Sequence, residues 1–208
     1  MRKTFLLFVI ALACAPASFA QTRDYSFYEF YVGYAHERAD NGADRADLNA
    51  TRVINGSRAD FVQQRTGYNG FNVEFNQNVT RHIGIVTNLS GTYDRVNYVD
   101  RLVAGRTIGA RLSRYDLLAG PRYNWRYSGA TPFVNALFGI SHVRTKFDGP
   151  LLTGTRSDTA FAMAFGGGVD VHAGEHFDIR PGEIEYLPTF FNGKHQDNFR
   201  FSAGVKIK

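Results

Sequence analysis

Ser141 and His142 are adjacent, and a hydroxyl beside an imidazole is the least from which a nucleophile and its general base are made. Such a pair would serve ester hydrolysis or acyl transfer. The residues before them, Val134-Asn135-Ala136-Leu137-Phe138-Gly139-Ile140, alternate as a strand does, and neighbours on a strand project to opposite faces. The two side chains therefore cannot meet. His36, His82, His172, His176 and His195 are scattered along the chain. His172 and His176 approach across a turn without a third ligand, and the single cysteine, Cys14, supplies none, so no metal site is expected. Gly166-Gly167-Gly168 lacks the following Lys-Ser/Thr of a phosphate-holding loop. No catalytic residue, cofactor or metal ligand is assigned, and the chain is read as non-enzymatic.

What remains with chemical potential is a set of charges: Glu29, Glu74, Asp116 and Glu185 on one side, Arg122, Arg180 and Arg200 on the other. Their meaning depends on the elements that carry them. Two-residue alternation recurs eight times, beginning at Tyr28, Gly70, Ile83, Tyr115, Val134, Ala160, Phe177 and Phe199, and each run reads as one strand. Within the seventh, parity slips after Pro181-Gly182, the signature of a bulge. Three connections are short, at 77–81, 128–131 and 173–176. Four are longer and polar, at 37–67, 95–114, 146–158 and 189–198. Such asymmetry is the mark of an outer-membrane barrel, trimmed at the periplasmic end and elaborated outside.

The chain has 208 residues, 44% of them apolar and 14% aromatic, with 21 glycines, a composition that excludes a disordered chain and leans towards β structure. Arg2-Lys3, the apolar stretch from Phe5 to Cys14 and the small residues Ser18 and Ala20 read as a secretory signal peptide spanning 1–20, cleaved before Gln21. Residues 21–208 then form one barrel domain. Cys14 as a lipidated residue is the alternative, disfavoured because Ala11 stands where a larger aliphatic residue belongs. Losing Arg2 and Lys3 lowers the formal charge from +5 to +3, and no nucleic-acid-binding motif accompanies it.

A soluble barrel would turn its apolar face inward and clothe the other in Lys and Glu. Here the second face is rich in Gly, Ala, Ser and Asn with a few opposed charges, which suits a narrow packed lumen, while the Phe, Ile, Leu and Val face suits lipid. Tyr28, Trp125 and Tyr127 fall near the short-turn end and Tyr34, Tyr68 and Tyr93 near the other, giving two aromatic girdles. The fold expected is all-β: an eight-stranded antiparallel transmembrane β-barrel of up-and-down topology. On that reading Glu29, Glu74, Asp116, Arg122, Arg180, Glu185 and Arg200 share the lumen, where unpaired charge is expensive, so they are expected to pair and plug it.

Tyr115-Asp116-Leu117-Leu118-Ala119-Gly120-Pro121-Arg122-Tyr123, Asn135-Ala136-Leu137-Phe138-Gly139, Ile179-Arg180-Pro181 leading to Glu185-Tyr186, and Asn198 to Val205 carry a resemblance. Over nearly the whole mature chain the sequence resembles the small outer-membrane protein A-like eight-stranded β-barrels, in particular the barrel-only bacterial members. The resemblance implies location in the bacterial outer membrane and a plugged lumen. It departs at the end, where Ile207-Lys208 stands in place of a terminal aromatic residue.

The function expected is that of a structural or interaction barrel, monomeric, with lipid against its walls and partners at its external loops. The alternatives are a narrow channel for small solutes and, less favoured, a lipid-modifying enzyme. Arg95, Arg101, Arg106, Arg111 and Arg114 flank or occupy the second long connection, and guanidinium groups pair well with phosphates; Arg106 and Arg111 are the candidate lipopolysaccharide contact. Arg-Ala-Asp occurs at Arg38, Arg45 and Arg58 in the first connection and reads as a solvated loop in preference to an adhesive tip.

Overall fold

The structure is a computed structural model that describes residues 25–40, 65–100, 106–148, 153–191 and 194–208. The leader segment, Arg45 and Arg58 lie outside the described residues. Eight strands follow in chain order: β1 (Tyr28–Asp40), β2 (Arg65–Asn78), β3 (Ile83–Asp100), β4 (Arg106–Asn124), β5 (Ala130–Asp148), β6 (Thr153–His172), β7 (Phe177–Phe191) and β8 (Lys194–Ile207). Each pairs antiparallel with its neighbour in sequence, and β8 returns to β1, with Val32 opposite Val205, to close the barrel. Closure leaves no sheet edge unpaired across the width of a membrane.

Alternation sets the faces. On β6, Phe161, Met163, Phe165, Val169 and Val171 point outward while Ala160, Ala162, Ala164 and Asp170 are buried inside. At about 3.3 Å per residue and a tilt near 40°, the rise from Phe161 to Val171 is about 25 Å, the height of the apolar band of an outer-membrane barrel. Tyr28, Tyr123, Trp125 and Tyr127 ring the short-turn end, and Tyr34, Tyr93 and Tyr115 the other, all exposed on the outer wall. Tyr68 does not belong to that ring: it is buried in the lumen.

The connections at the second end differ from the sequence reading. Most of 95–114, 146–158 and 189–198 is strand, with pairing that continues to Asp100 opposite Arg106 and Asp148 opposite Thr153. Above the apolar band both faces of a strand meet water, so the two-residue polarity signal vanishes although the hydrogen-bond ladder goes on. Among the described residues β3, β4, β5 and β6 run 18, 19, 19 and 20 residues against 13 and 14 for β1 and β2.

The bulge lies where the parity slip places it. The β7–β8 register shifts between Arg180 and Glu183, spanning Pro181-Gly182. The shift turns both Arg180 and Glu183 inward, which plain alternation would forbid for residues three apart.

Candidate functional site in the barrel lumen

The lumen holds two connected groups of charge. In the one nearer the short turns, Arg180 on β7 is fully buried and serves three carboxylates: Asp170 (Nε–Oδ1 2.7 Å), Glu74 (Nη1–Oε2 2.8 Å) and Glu183 (Nη1–Oε2 2.9 Å). Arg122 on β4 shares Glu74, also at 2.8 Å. Lys206 lies 2.9 Å from Asp170 and 3.0 Å from Asp178, and Lys208 lies 2.7 Å from Asp178. Glu29 takes Arg126 at 3.1 Å.

In the second group Arg200 on β8, fully buried, grips Glu185 through Nε at 2.7 Å and Nη2 at 2.6 Å. Arg114 joins Glu37 (2.7 Å) to Asp116 (3.1 Å). Asn88 links the two groups: its Oδ1 accepts from Arg200 and its Nδ2 donates to Glu74 and Asn72. An apolar cluster of Val86, Leu118, Leu137, Ala162, Ala164 and Leu187 fills space alongside them.

All seven charged residues singled out from the sequence lie in the lumen, and each has an oppositely charged partner there. Sequence reasoning missed Glu37, Arg114, Asp170, Asp178, Glu183 and Lys206. Asp170, Asp178 and Lys206 share the lumen parity of their strands and were findable by it; Glu37 and Arg114 sit where the alternation fades. Arg114 is the clearest departure, since it faces the lumen and not an external loop. Arg106 opens β4 opposite Asp100, and its side chain lies outside the described residues. Arg111 is exposed on the outer wall.

Large aromatic rings also enter the lumen, although the sequence reading assigns the large apolar side chains to the lipid face. Tyr31 and Phe133 sandwich the Arg180 guanidinium, with ring centroids at 4.0 and 4.3 Å, and Arg122 lies 4.1 Å from the Phe133 centroid. Cation–π contact of this kind strengthens when water is excluded. Room for Tyr31 comes from Gly33, paired with Gly204 across the β1–β8 seam: a Cβ on Gly33 would collide with the Tyr31 ring and hydroxyl and with the Ala203 carbonyl. Gly33→Ala should therefore cost about 1–3 kcal/mol of stability by overpacking. Gly129→Ala, where a Cβ meets nothing within 4 Å, should be near neutral in the same urea unfolding in lipid vesicles. Equal effects of the two would remove the notch.

Ser141 is buried in the lumen and His142 projects from the wall, as strand geometry requires. His142 instead meets Thr159 across β5–β6, Nδ1 to Oγ1 2.7 Å. No carboxylate is described on that imidazole to orient it. Among the described residues no group of three or more His, Cys, Asp or Glu side chains is arranged to hold a metal ion.

A closed eight-stranded antiparallel barrel, apolar and girdled by aromatic rings outside and cross-linked by ion pairs inside, defines an integral protein of the bacterial outer membrane. The chain belongs to the outer membrane protein beta-barrel domain family, whose model matches residues 5–207. Ail, the attachment invasion locus protein of Yersinia pestis, solved in complex with the heparin analogue sucrose octasulfate, is similar over 86% of this chain and 97% of its own, at 17% identity and a TM-score of 0.53. Neisserial surface protein A is similar over 88% of this chain and 97% of its own, at 11% identity and a TM-score of 0.57. At these identities the likeness is one of fold. Among curated proteins no match is found.

Proposed function

We propose that this protein is a closed structural and interaction barrel: a monomer whose wall meets lipid, whose lumen is plugged, and whose tall outer strands meet partners. Residues 1–20 are its export leader and 21–208 its barrel. The observation that carries the reading is the cross-lumen bonding of Arg180 and Arg200, both without solvent exposure. An eight-stranded barrel is only wide enough for its own side chains, and here they bridge β7 to β2 and β8 to β3. A solute would have to displace several charge-assisted hydrogen bonds at once. An enzymatic role lacks support, because among the described residues His142–Thr159 has neither an orienting carboxylate nor an oxyanion donor. Anionic lipopolysaccharide is the partner we assign to Arg106 and Arg111 on the outer part of β4.

Planar bilayers containing the refolded full chain are expected to show a flat baseline. Long-lived single-channel steps would favour the narrow channel and overturn the plug.

A further inference from the structure

The outer wall carries a constellation that neither the plugged lumen nor the lipid contact uses. On β8, His195 and Asp197 stand two residues apart and so share the outward face, with side chains 46% and 45% exposed. Across the ladder, β7 places Tyr186 opposite Phe199 and Phe190 opposite His195, which brings the tyrosine beside the same carboxylate. The Tyr186 hydroxyl donates to Asp197 Oδ1, and His195 Nε2 lies 3.5 Å from both of these oxygens. Aromatic neighbours hold the two rings in place. His195 packs on Phe190 at 5.3 Å, Phe190 stacks on Phe161 of β6 at 6.1 Å, and Tyr186 packs on Phe199 at 5.4 Å.

A phenol oxygen, a carboxylate oxygen and an imidazole nitrogen thus converge from two paired strands. Neighbouring ligands on a metal held at about 2.1 Å stand about 3.0–3.4 Å apart, so small side-chain rotations bring these three donors to coordinating distance. A second place on the wall shows what distinguishes them. On β1 and β2, Tyr34 and His36 converge in the same manner on Asn69 Oδ1, the imidazole at 2.8 Å through Nδ1. There the shared acceptor is a neutral amide, enough to tie two rings together by hydrogen bonds. On β7 and β8 it is a carboxylate, which adds the negative charge that a cation requires.

We propose that Tyr186, His195 and Asp197 form a surface site for one divalent transition-metal ion, copper(II) before the others. The donor set selects the class. An imidazole ligand speaks against calcium and magnesium, which take oxygen, and the absence of sulfur from the set speaks against copper(I). Among divalent ions that accept mixed nitrogen and oxygen donors, affinity peaks at copper(II), whose tetragonal geometry leaves a fourth position for water. Binding breaks the O–H bond of Tyr186 and forms its oxygen–metal bond; the proton leaves to solvent, and nothing is oxidised or reduced. Histidine and carboxylate alone make only two ligands here, and the tyrosine completes the site.

The test uses the full chain without an affinity tag, refolded in phospholipid nanodiscs and titrated with copper(II), zinc(II) or calcium(II) in the presence of glycine, which keeps copper from lone imidazoles. Copper(II) should bind at one equivalent, at least about tenfold more tightly than zinc(II), and bring up the visible charge-transfer band of a phenolate–copper bond. Calcium(II) should be ignored. Tyr186→Phe should abolish the band, while Asp197→Asn and His195→Gln should each weaken binding at least about tenfold. Tyr34→Phe, at the amide-centred counterpart, should leave band and affinity unchanged. All four side chains lie on the outer wall, so each variant should keep the circular dichroism of the native barrel. The site is overturned if the native chain takes up no copper(II), if the band survives Tyr186→Phe or falls as far with Tyr34→Phe, or if zinc(II) or calcium(II) binds as tightly.

Discussion

Arg200→Met is expected to cost about 3–5 kcal/mol in reversible urea unfolding from lipid vesicles. The size follows from how few cations serve Glu185. Both of the close ion-pair contacts of Arg200 fall on Glu185 Oε2, and no other cation is described within ion-pair distance of that carboxylate. Methionine fills similar volume but leaves a negative charge stranded in the barrel. Arg200→Met/Glu185→Leu removes the stranded charge, so the double change should cost less than the sum of the single ones, with a coupling of about 1–3 kcal/mol. Arg122 behaves differently, because Glu74 would keep Arg180 at 2.8 Å after its loss. Arg122→Met is expected to be the milder single substitution. Strict additivity at Arg200 and Glu185 would show the pair to be energetically idle.

The second large effect lies on the wall. Phe165 sits midway between Thr159 and Val171 among the outward residues of β6 and packs edge to face on Phe138. Phe165→Arg places a charge near the bilayer midplane and should cost about 2–4 kcal/mol, whereas Phe165→Leu should stay within about 1.5 kcal/mol. The adjacent Ala164 faces the lumen and belongs to the apolar cluster there. Ala164→Ser should thus cost about 1–2 kcal/mol, through its hydroxyl and without reference to lipid. Substituting a short-chain for a long-chain lipid separates the causes: the penalty at Phe165 should change with bilayer thickness and that at Ala164 should not. Parallel behaviour would mean that the two faces are wrongly assigned.

The strand pattern could be read from sequence because lipid and a packed lumen impose opposite demands on consecutive residues. Phe201, Ala203 and Val205 against Arg200, Ser202 and Lys206 show the demand undiluted. Where the lipid stops, so does the contrast: Glu37 and Arg114 lie on the lumen parity of β1 and β4, yet their neighbours Arg38 and Ser113 are polar too. The bulge at Pro181-Gly182 was legible because it shifts a whole series of side chains at once. Which carboxylate meets which guanidinium was not. Arg180 and Glu74 are 106 positions apart, and their meeting depends on strand tilt and stagger, which no local pattern encodes. In the sequence Arg95, Arg111 and Arg114 read alike as members of a loop; only register separates outward Arg111 from inward Arg114.

The distribution of charge along the chain constrains how such a barrel can enter a membrane. Among the described lumen-facing residues of β1 and β2, the ionisable acids are Glu29, Glu37 and Glu74, and there is no Lys or Arg. The cations that neutralise them arrive later, on β4, on β7 and finally as Lys206 on β8. A first hairpin placed alone in hydrocarbon would carry three uncompensated carboxylates, a state that costs far more than its backbone hydrogen bonds return. Insertion strand by strand is thereby disfavoured. The nascent sheet must keep its concave side wet until β8 docks on β1, and the same event that completes the hydrogen-bonded seam expels the water and completes the neutralisation. Membrane entry thus becomes a late commitment, taken by a chain that carries its last strand.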